Sequence, residues 1–188
     1  MVLLTTLIIA AQILTVFLAA KGSRWTWVFG VITGLILCFN FFTGKLYLSF
    51  AFQVYSTIAA IVGVFSWKKK AEDNKRSITW GNPTWPLLIV TALTASVYFF
   101  DANILHSNLP FIDCLIPALQ AVATFLMVRK DINAWILYLI CDFVYIPLGI
   151  ASGDYKWLFI SACFLATASY GTISFIKAWK KEKKENMQ

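Results

Sequence analysis

The chain has 188 residues, of which 60% are hydrophobic and only 13% charged, about half the charged share of a soluble domain. A soluble core of this length cannot hide so much apolar surface, which leaves a polytopic membrane protein built as one domain. The net charge of +7 does not mark a nucleic-acid binder; the basic residues fall in short loops and in the tail, where membrane topology accounts for them.

Seven apolar stretches are long enough to span a ~30 Å hydrocarbon core, which takes ~20 residues of helix. They fall at 2–20, 25–42, 46–67, 84–100, 110–128, 134–151 and 156–178. The first, Val2–Ala20, lacks a basic n-region and reads as a retained helix rather than a cleaved signal peptide. The connections are short, so neighbouring helices run antiparallel. One side of the membrane then holds Lys21, Arg24, Lys68, Lys69, Lys70, Lys75, Arg76, Arg129, Lys130, Lys177, Lys180, Lys181, Lys183 and Lys184, and the other only Lys45 and Lys156. Fourteen against two is a strong positive-inside bias; it predicts an outer N-terminus and a cytoplasmic C-terminus. Trp25, Trp27, Trp67, Trp85, Trp135 and Trp179 fall near the inner boundary and Tyr47, Tyr155 and Trp157 near the outer one, most of them expected as interface anchors. Lys68–Asn82, followed by Pro83 and Pro86, reads as a cytoplasmic linker, and Lys180–Gln188 as a solvated tail.

Several chemistries are absent. Cys38, Cys114, Cys141 and Cys163 lie in apolar runs without a Cys-x-x-Cys, and the lone His106 sits in an outer loop with Asp101 and Asp113 nearby. No metal or cofactor is expected. No phosphate-binding glycine loop, zinc helix motif or Gly-x-Ser-x-Gly occurs, so neither an ATP-driven pump nor an enzyme is expected.

The second and third helices resemble the sixth and seventh. Trp27 pairs with Trp135 and Gly63 with Gly171 at an offset of 108 (135 − 27), and Gly44 with Gly153 at 109. The copies lie four helices apart in the chain and so have the same orientation, as parallel repeats about an axis along the membrane normal. The plan becomes three helices, a linker helix over 84–100, and three more, with halves over 1–67 and 110–178. Sites in such transporters lie between the halves near the midplane.

The polar residues within the spans locate a candidate site. Trp135, Tyr138, Asp142 and Tyr145 fall within one ~80° sector of an otherwise oily helix. An aspartate at that depth costs about 3 kcal/mol to insert and calls for a cavity or a partner. No lysine or arginine lies at matching depth, which leaves a bound cation, a proton or hydrogen-bond donors. Aromatic faces beside one carboxylate suit a flat, positively charged heterocycle. Gln53, Gln120 and Asn40 can hold hydroxyls or a carboxamide, or bond between helices. Tyr170, with Thr167 and Phe164, is a further candidate, as is Tyr55. Gly30-x-x-x-Gly34 is a close-packing motif, and Pro117 and Pro147 interrupt the backbone ladders of the fifth and sixth helices.

Together these residues give Trp27, Phe29 and Gly30; Gly44-Lys-Leu-Tyr47; Gln53-Val-Tyr55; Gly63-x-x-x-Trp67; Phe111-x-Asp113; Leu126-Met-x-Arg129; Trp135-x-x-Tyr138-x-x-x-Asp142; and Tyr170-Gly171. In order and spacing the chain resembles the PnuC vitamin transporters over nearly its whole length, with the sixth-helix stretch similar to that family's Trp-x-x-Trp-x-x-x-Asn/Asp pattern. Two positions depart: Tyr138 stands for a tryptophan, and Ala60 where a glutamine is expected. The resemblance implies a SWEET-like three-plus-one-plus-three bundle, a homotrimer, and energy-independent entry of nicotinamide riboside with trapping by a cytoplasmic kinase; relatives carry thiamine, riboflavin or deoxynucleosides. On this reading the chain sits in the bacterial inner membrane and Asp142 offsets the ring charge. Trp135 and Tyr138 stack, and Gln53 and Gln120 bond the ribose or carboxamide. Thiamine, also cationic and aromatic, is the alternative. A structural or assembly subunit, from a different class, would tolerate Asp142→Asn and move no vitamin.

Overall fold

The computed structural model describes residues 2–43, 47–72, 78–100, 110–153 and 155–185. Gly44, Lys45, Lys75, Arg76, Asp101 and His106 lie outside the described residues, as do the side chains of Tyr47, Lys68, Lys69, Lys70, Asp113, Tyr155, Lys156 and Trp157. The described residues form seven helices: α1 Val2–Ala20, α2 Trp25–Thr43, α3 Tyr47–Glu72, α4 Thr84–Phe100, α5 Pro110–Val128, α6 Asn133–Ser152 and α7 Tyr155–Glu185. Hydrophobic length sets them, and α3 and α7 outrun the apolar stretches because their Lys/Glu-rich ends are good helix formers in water. Among the described residues, Trp25–Thr43, Phe50–Trp67 and Leu158–Glu185 are long and apolar enough to cross a membrane; Ala10–Ala20, Thr84–Phe99, Cys114–Val128 and Asn133–Pro147 are shorter apolar stretches.

Six helices close a ring in the order α1, α2, α3, α5, α6, α7 and back to α1, while α4 packs against α5 from outside. Leu87, Leu88, Leu93 and Phe99 on α4 face outward, as apolar side chains can in lipid but rarely in water.

The turn between α1 and α2 recurs between α5 and α6. Gly22 N–H donates to Ala19 O and Ser23 N–H to Leu18 O; 108 residues on, Lys130 N–H donates to Met127 O and Asp131 N–H to Leu126 O. Both are the paired bonds that end a helix through a left-handed residue, with φ 67° at Gly22 and 61° at Lys130. The entry to the next helix matches too. Ser23 Oγ accepts from Trp25 N–H at 3.4 Å, and Asp131 Oδ1 from Asn133 N–H at 2.9 Å.

Two tryptophans expected at the membrane interface lie in the core instead. Trp27 sits on Gly63 of α3 and Trp135 on Gly171 of α7; a β-carbon on either glycine would come within 3.0 Å of the indole. Each indole also meets a ring one turn further along, Trp67 at 5.4 Å and Phe175 at 5.5 Å, again 108 residues apart. Trp67 is a third interface candidate that is buried; its Nε1–H donates to Val128 O across the α3–α5 contact. Trp25 is 55% exposed and fits the anchor role.

The stretch 78–82 is more than a linker. Thr79 N–H donates to Lys130 O, and Ile132 N–H to Thr79 O. Gly81 N–H donates to Asp131 Oδ2 at 3.2 Å, and Asn133 Nδ2 to Gly81 O at 2.9 Å. Ile78 N–H reaches Glu182 Oε2 on α7 at 3.1 Å. These bonds fasten the strap across the α5–α6 turn and the end of α7.

Candidate functional site

Two adjoining compartments, of about 230 and 320 Å³, open inside the six-helix ring. Thr15, Val16, Gly30, Ser56, Gln120, Thr124, Tyr138, Asp142 and Phe164 line both, so they form one continuous space. The smaller reaches Trp27, Ala60, Met127, Trp135 and Ala168; the larger reaches Gln12, Gln53, Tyr145 and Ser161. Every helix of the ring contributes and α4 does not.

Helical spacing places these side chains. On α6, Trp135, Tyr138 and Asp142 recur at three and four residues, and the same spacing on α2 puts Trp27 and Gly30 opposite them. On α5, Gln120, Thr124 and Met127 line the wall; Gln12, Val16 and Ala19 do so on α1, each 108 residues earlier. Ala60 and Ala168 hold corresponding places on α3 and α7. At one pair of positions 108 residues apart the bulk differs: Gly30 on α2 answers to Tyr138 on α6. A β-carbon at Gly30 would meet only Ala60, at 3.5 Å, so this wall is open.

Seven of the sequence-derived candidates converge on this space, Phe164 among them in both compartments. Asp142, Trp135, Tyr138 and Gln120 line the smaller compartment, and Gln53 and Tyr145 the larger. Asn40 and Tyr170 are not among the lining residues. Tyr170 is 48% exposed and stacks on Phe17 of α1, while Tyr55 is tied down, its hydroxyl donating to Ala121 O. Spacing on one helix located the α6 group; the sequence offers Gln12 as an amide bonding between helices and Trp27 as an interface anchor and repeat partner of Trp135, and no polar signal marked Gly30.

Asp142 is 8% exposed, and among the described residues no lysine or arginine lines the cavity with it. The Tyr138 hydroxyl lies 3.1 Å from Thr124 Oγ1, which itself meets Gln120 O at 2.8 Å. This chain fixes the Tyr138 ring against α5. The indole nitrogens of Trp27 and Trp135 are both buried without a protein acceptor; a buried unpaired donor costs about 1–3 kcal/mol. The space thus offers one carboxylate, two free N–H donors, amides and aromatic faces. That set can hold a flat, polar solute carrying a positive charge or donor groups, and provides no nucleophile paired with a base.

A family described as nicotinamide mononucleotide transporters matches residues 2–181. The riboflavin/roseoflavin transporter RibM of Streptomyces davaonensis is 30% identical over 148 residues, 75% of this chain and 69% of that protein. The crystal structure of the vitamin B3 transporter PnuC superposes with a TM-score of 0.66 at 22% identity, covering 93% of this chain and 80% of that one, and so shares the fold. With the match running through all seven helices, this chain belongs to the nicotinamide mononucleotide (PnuC) family of membrane vitamin transporters.

Proposed function

We propose that this protein mediates facilitated uptake of nicotinamide riboside across the bacterial cytoplasmic membrane. One observation carries the reading: Asp142 faces a cavity walled by aromatics and amides, with no basic side chain among the described residues that line it. A cationic ring is attracted there. A phosphate would meet a carboxylate with no cation to offset it, which favours the riboside over the mononucleotide of the family's description. Asp142 offsets the pyridinium charge, Trp135, Tyr138 and Tyr145 supply ring faces, and Gln53 and Gln120 take the hydroxyls or the carboxamide. Asn40 and Tyr170 are proposed as residues met on the way to the site.

The matched turns and tryptophan–glycine seats favour two parallel repeats in a three-plus-one-plus-three plan, joined by α4. Such halves rock about a fixed site to give alternating access. The lysine and arginine partition favours an outer N-terminus and a cytoplasmic C-terminus, and the apolar outer face of α4 suits lipid or the neighbours of a homotrimer. Phosphorylation by a cytoplasmic kinase would trap the solute, since the cavity rejects its charged product.

A second reading is another vitamin of the same family. Thiamine shares the cationic ring. Riboflavin is the solute named for the relative from Streptomyces; being neutral, it would use Asp142 only as a hydrogen-bond acceptor. Proteoliposomes loaded separately with labelled nicotinamide riboside, its mononucleotide, thiamine and riboflavin separate these readings. Nicotinamide riboside is expected to equilibrate without a proton gradient, and the mononucleotide to stay out. Entry of none of the four, or undiminished entry in Asp142→Ala and Trp135→Ala, would overturn the proposal.

A further inference from the structure

We infer that Trp27 is a solute-binding residue, and that its indole N–H acts with that of Trp135 as a pair of donors gripping acceptor oxygens at the inner end of the cavity. The inference rests on the cavity being the transport site and adds to it a contact from the half of the ring that carries no charged group.

Trp27 and Trp135 are 7% and 0% exposed, and both line the smaller compartment. The Trp27 indole rests on Gly63 by its ring fusion, at Cδ2, Cε2 and Cε3, and the Trp135 indole rests on Gly171 by its six-membered ring. Cε3, Cζ3 and Cη2 of Trp135 face Gly171, so its N–H edge lies on the far side of the ring from α7. Neither N–H has an acceptor in the protein. The contrast with Trp67 is instructive, since that buried indole, outside the cavity, donates to Val128 O at 3.1 Å. Of the three buried tryptophans among the described residues, the two whose donors are left over are the two that line the space.

The pair also constrains the solute. Trp135 and Asp142 are seven residues apart on α6, about 10 Å along the axis. A solute filling the space presents hydroxyl or carbonyl oxygens to the tryptophan end and a cation or a donor to the carboxylate end. An all-apolar solute, or one with donors at both ends, leaves the indoles unpaired and binds weakly.

The test replaces the indole of Trp27 by benzothiophene, through an introduced benzothienylalanine, which keeps the shape and removes the N–H. Trp27→Phe serves as a second variant and exposed Trp25→Phe as a control. Binding of nicotinamide riboside, thiamine and riboflavin to the detergent-solubilised protein is measured by calorimetry, beside the melting temperature without solute. The expected result is affinity about fivefold weaker for the solute the wild type binds, the loss of one net hydrogen bond, with unchanged or higher melting temperature because an unpaired buried donor is gone. A purely structural tryptophan would lower the melting temperature and leave affinity intact, which overturns the inference alone. Failure of the wild type to bind any of the three overturns the transport reading and the inference with it.

Discussion

At Asp142 the chain keeps a carboxylate that insertion into the membrane disfavours by about 3 kcal/mol, in a wall where the described residues include no basic side chain. Its replacement by asparagine keeps shape and hydrogen bonding but removes the charge. Initial uptake of nicotinamide riboside in Asp142→Asn is expected to fall at least about tenfold, with melting temperature unchanged or raised. Transport at the wild-type rate in reconstituted vesicles would exclude a charge role. The glycines beneath the two tryptophans carry a second expectation. Gly171→Ala places a methyl group against the Trp135 ring, at 2.5 to 2.6 Å, and overpacking of this kind costs about 1–3 kcal/mol. Gly63→Ala does the same beneath Trp27. Both variants are expected to melt earlier than Gly30→Ala, whose new methyl group makes ordinary contact with Ala60 at 3.5 Å.

Among the elements, the strap at 78–82 and the α5–α6 turn form one hydrogen-bonded unit around Asp131. That residue is 6% exposed; its two oxygens accept from Asn133 N–H and Gly81 N–H. Asp131→Ala removes the acceptor for the first amide of α6 and the strap's anchor together, at a cost of about 1–2 kcal/mol. Ser23 holds the corresponding place after α1, where the bond is long at 3.4 Å and exposed. Ser23→Ala is therefore expected to cost only a few tenths of a kcal/mol. Hydrogen exchange at the amides of Thr79, Gly81 and Ile132 checks the local part: faster in Asp131→Ala, unaltered in Ser23→Ala. The pattern of the elements was largely legible beforehand. Seven apolar runs at membrane length gave helices whose observed ends differ by a residue or two, except where α3 and α7 continue into water. The strap was not legible. Its bonds run mainly from backbone groups of Ile78, Thr79 and Gly81 to residues some 50 to 100 positions away, and no local pattern encodes them.

For the molecule as a whole, the proposed transport depends on the space inside the ring of helices staying open. Gly30 lines both compartments, and there a larger side chain would project into the space rather than into a neighbouring helix. Gly30→Leu is expected to fold, to elute and melt like the wild type, and to abolish uptake by filling the passage. Loss of folded protein instead would mean that the wall at α2 is closely packed.

Composition and the placement of charge determined by themselves that the chain is a helical membrane protein, because apolar length and basic loops act locally, one segment at a time. Trp135, Tyr138, Asp142 and Tyr145 were joined by helical periodicity alone. Tertiary structure decided which tryptophans leave the lipid interface for the core, because their seats are glycines on the next helix. It also decided that Gln53 and Gln120 share one cavity while Asn40 and Tyr170 do not line it. A side chain's depth in the membrane follows from its position in the span, but the helix it faces is fixed only when the ring of helices closes.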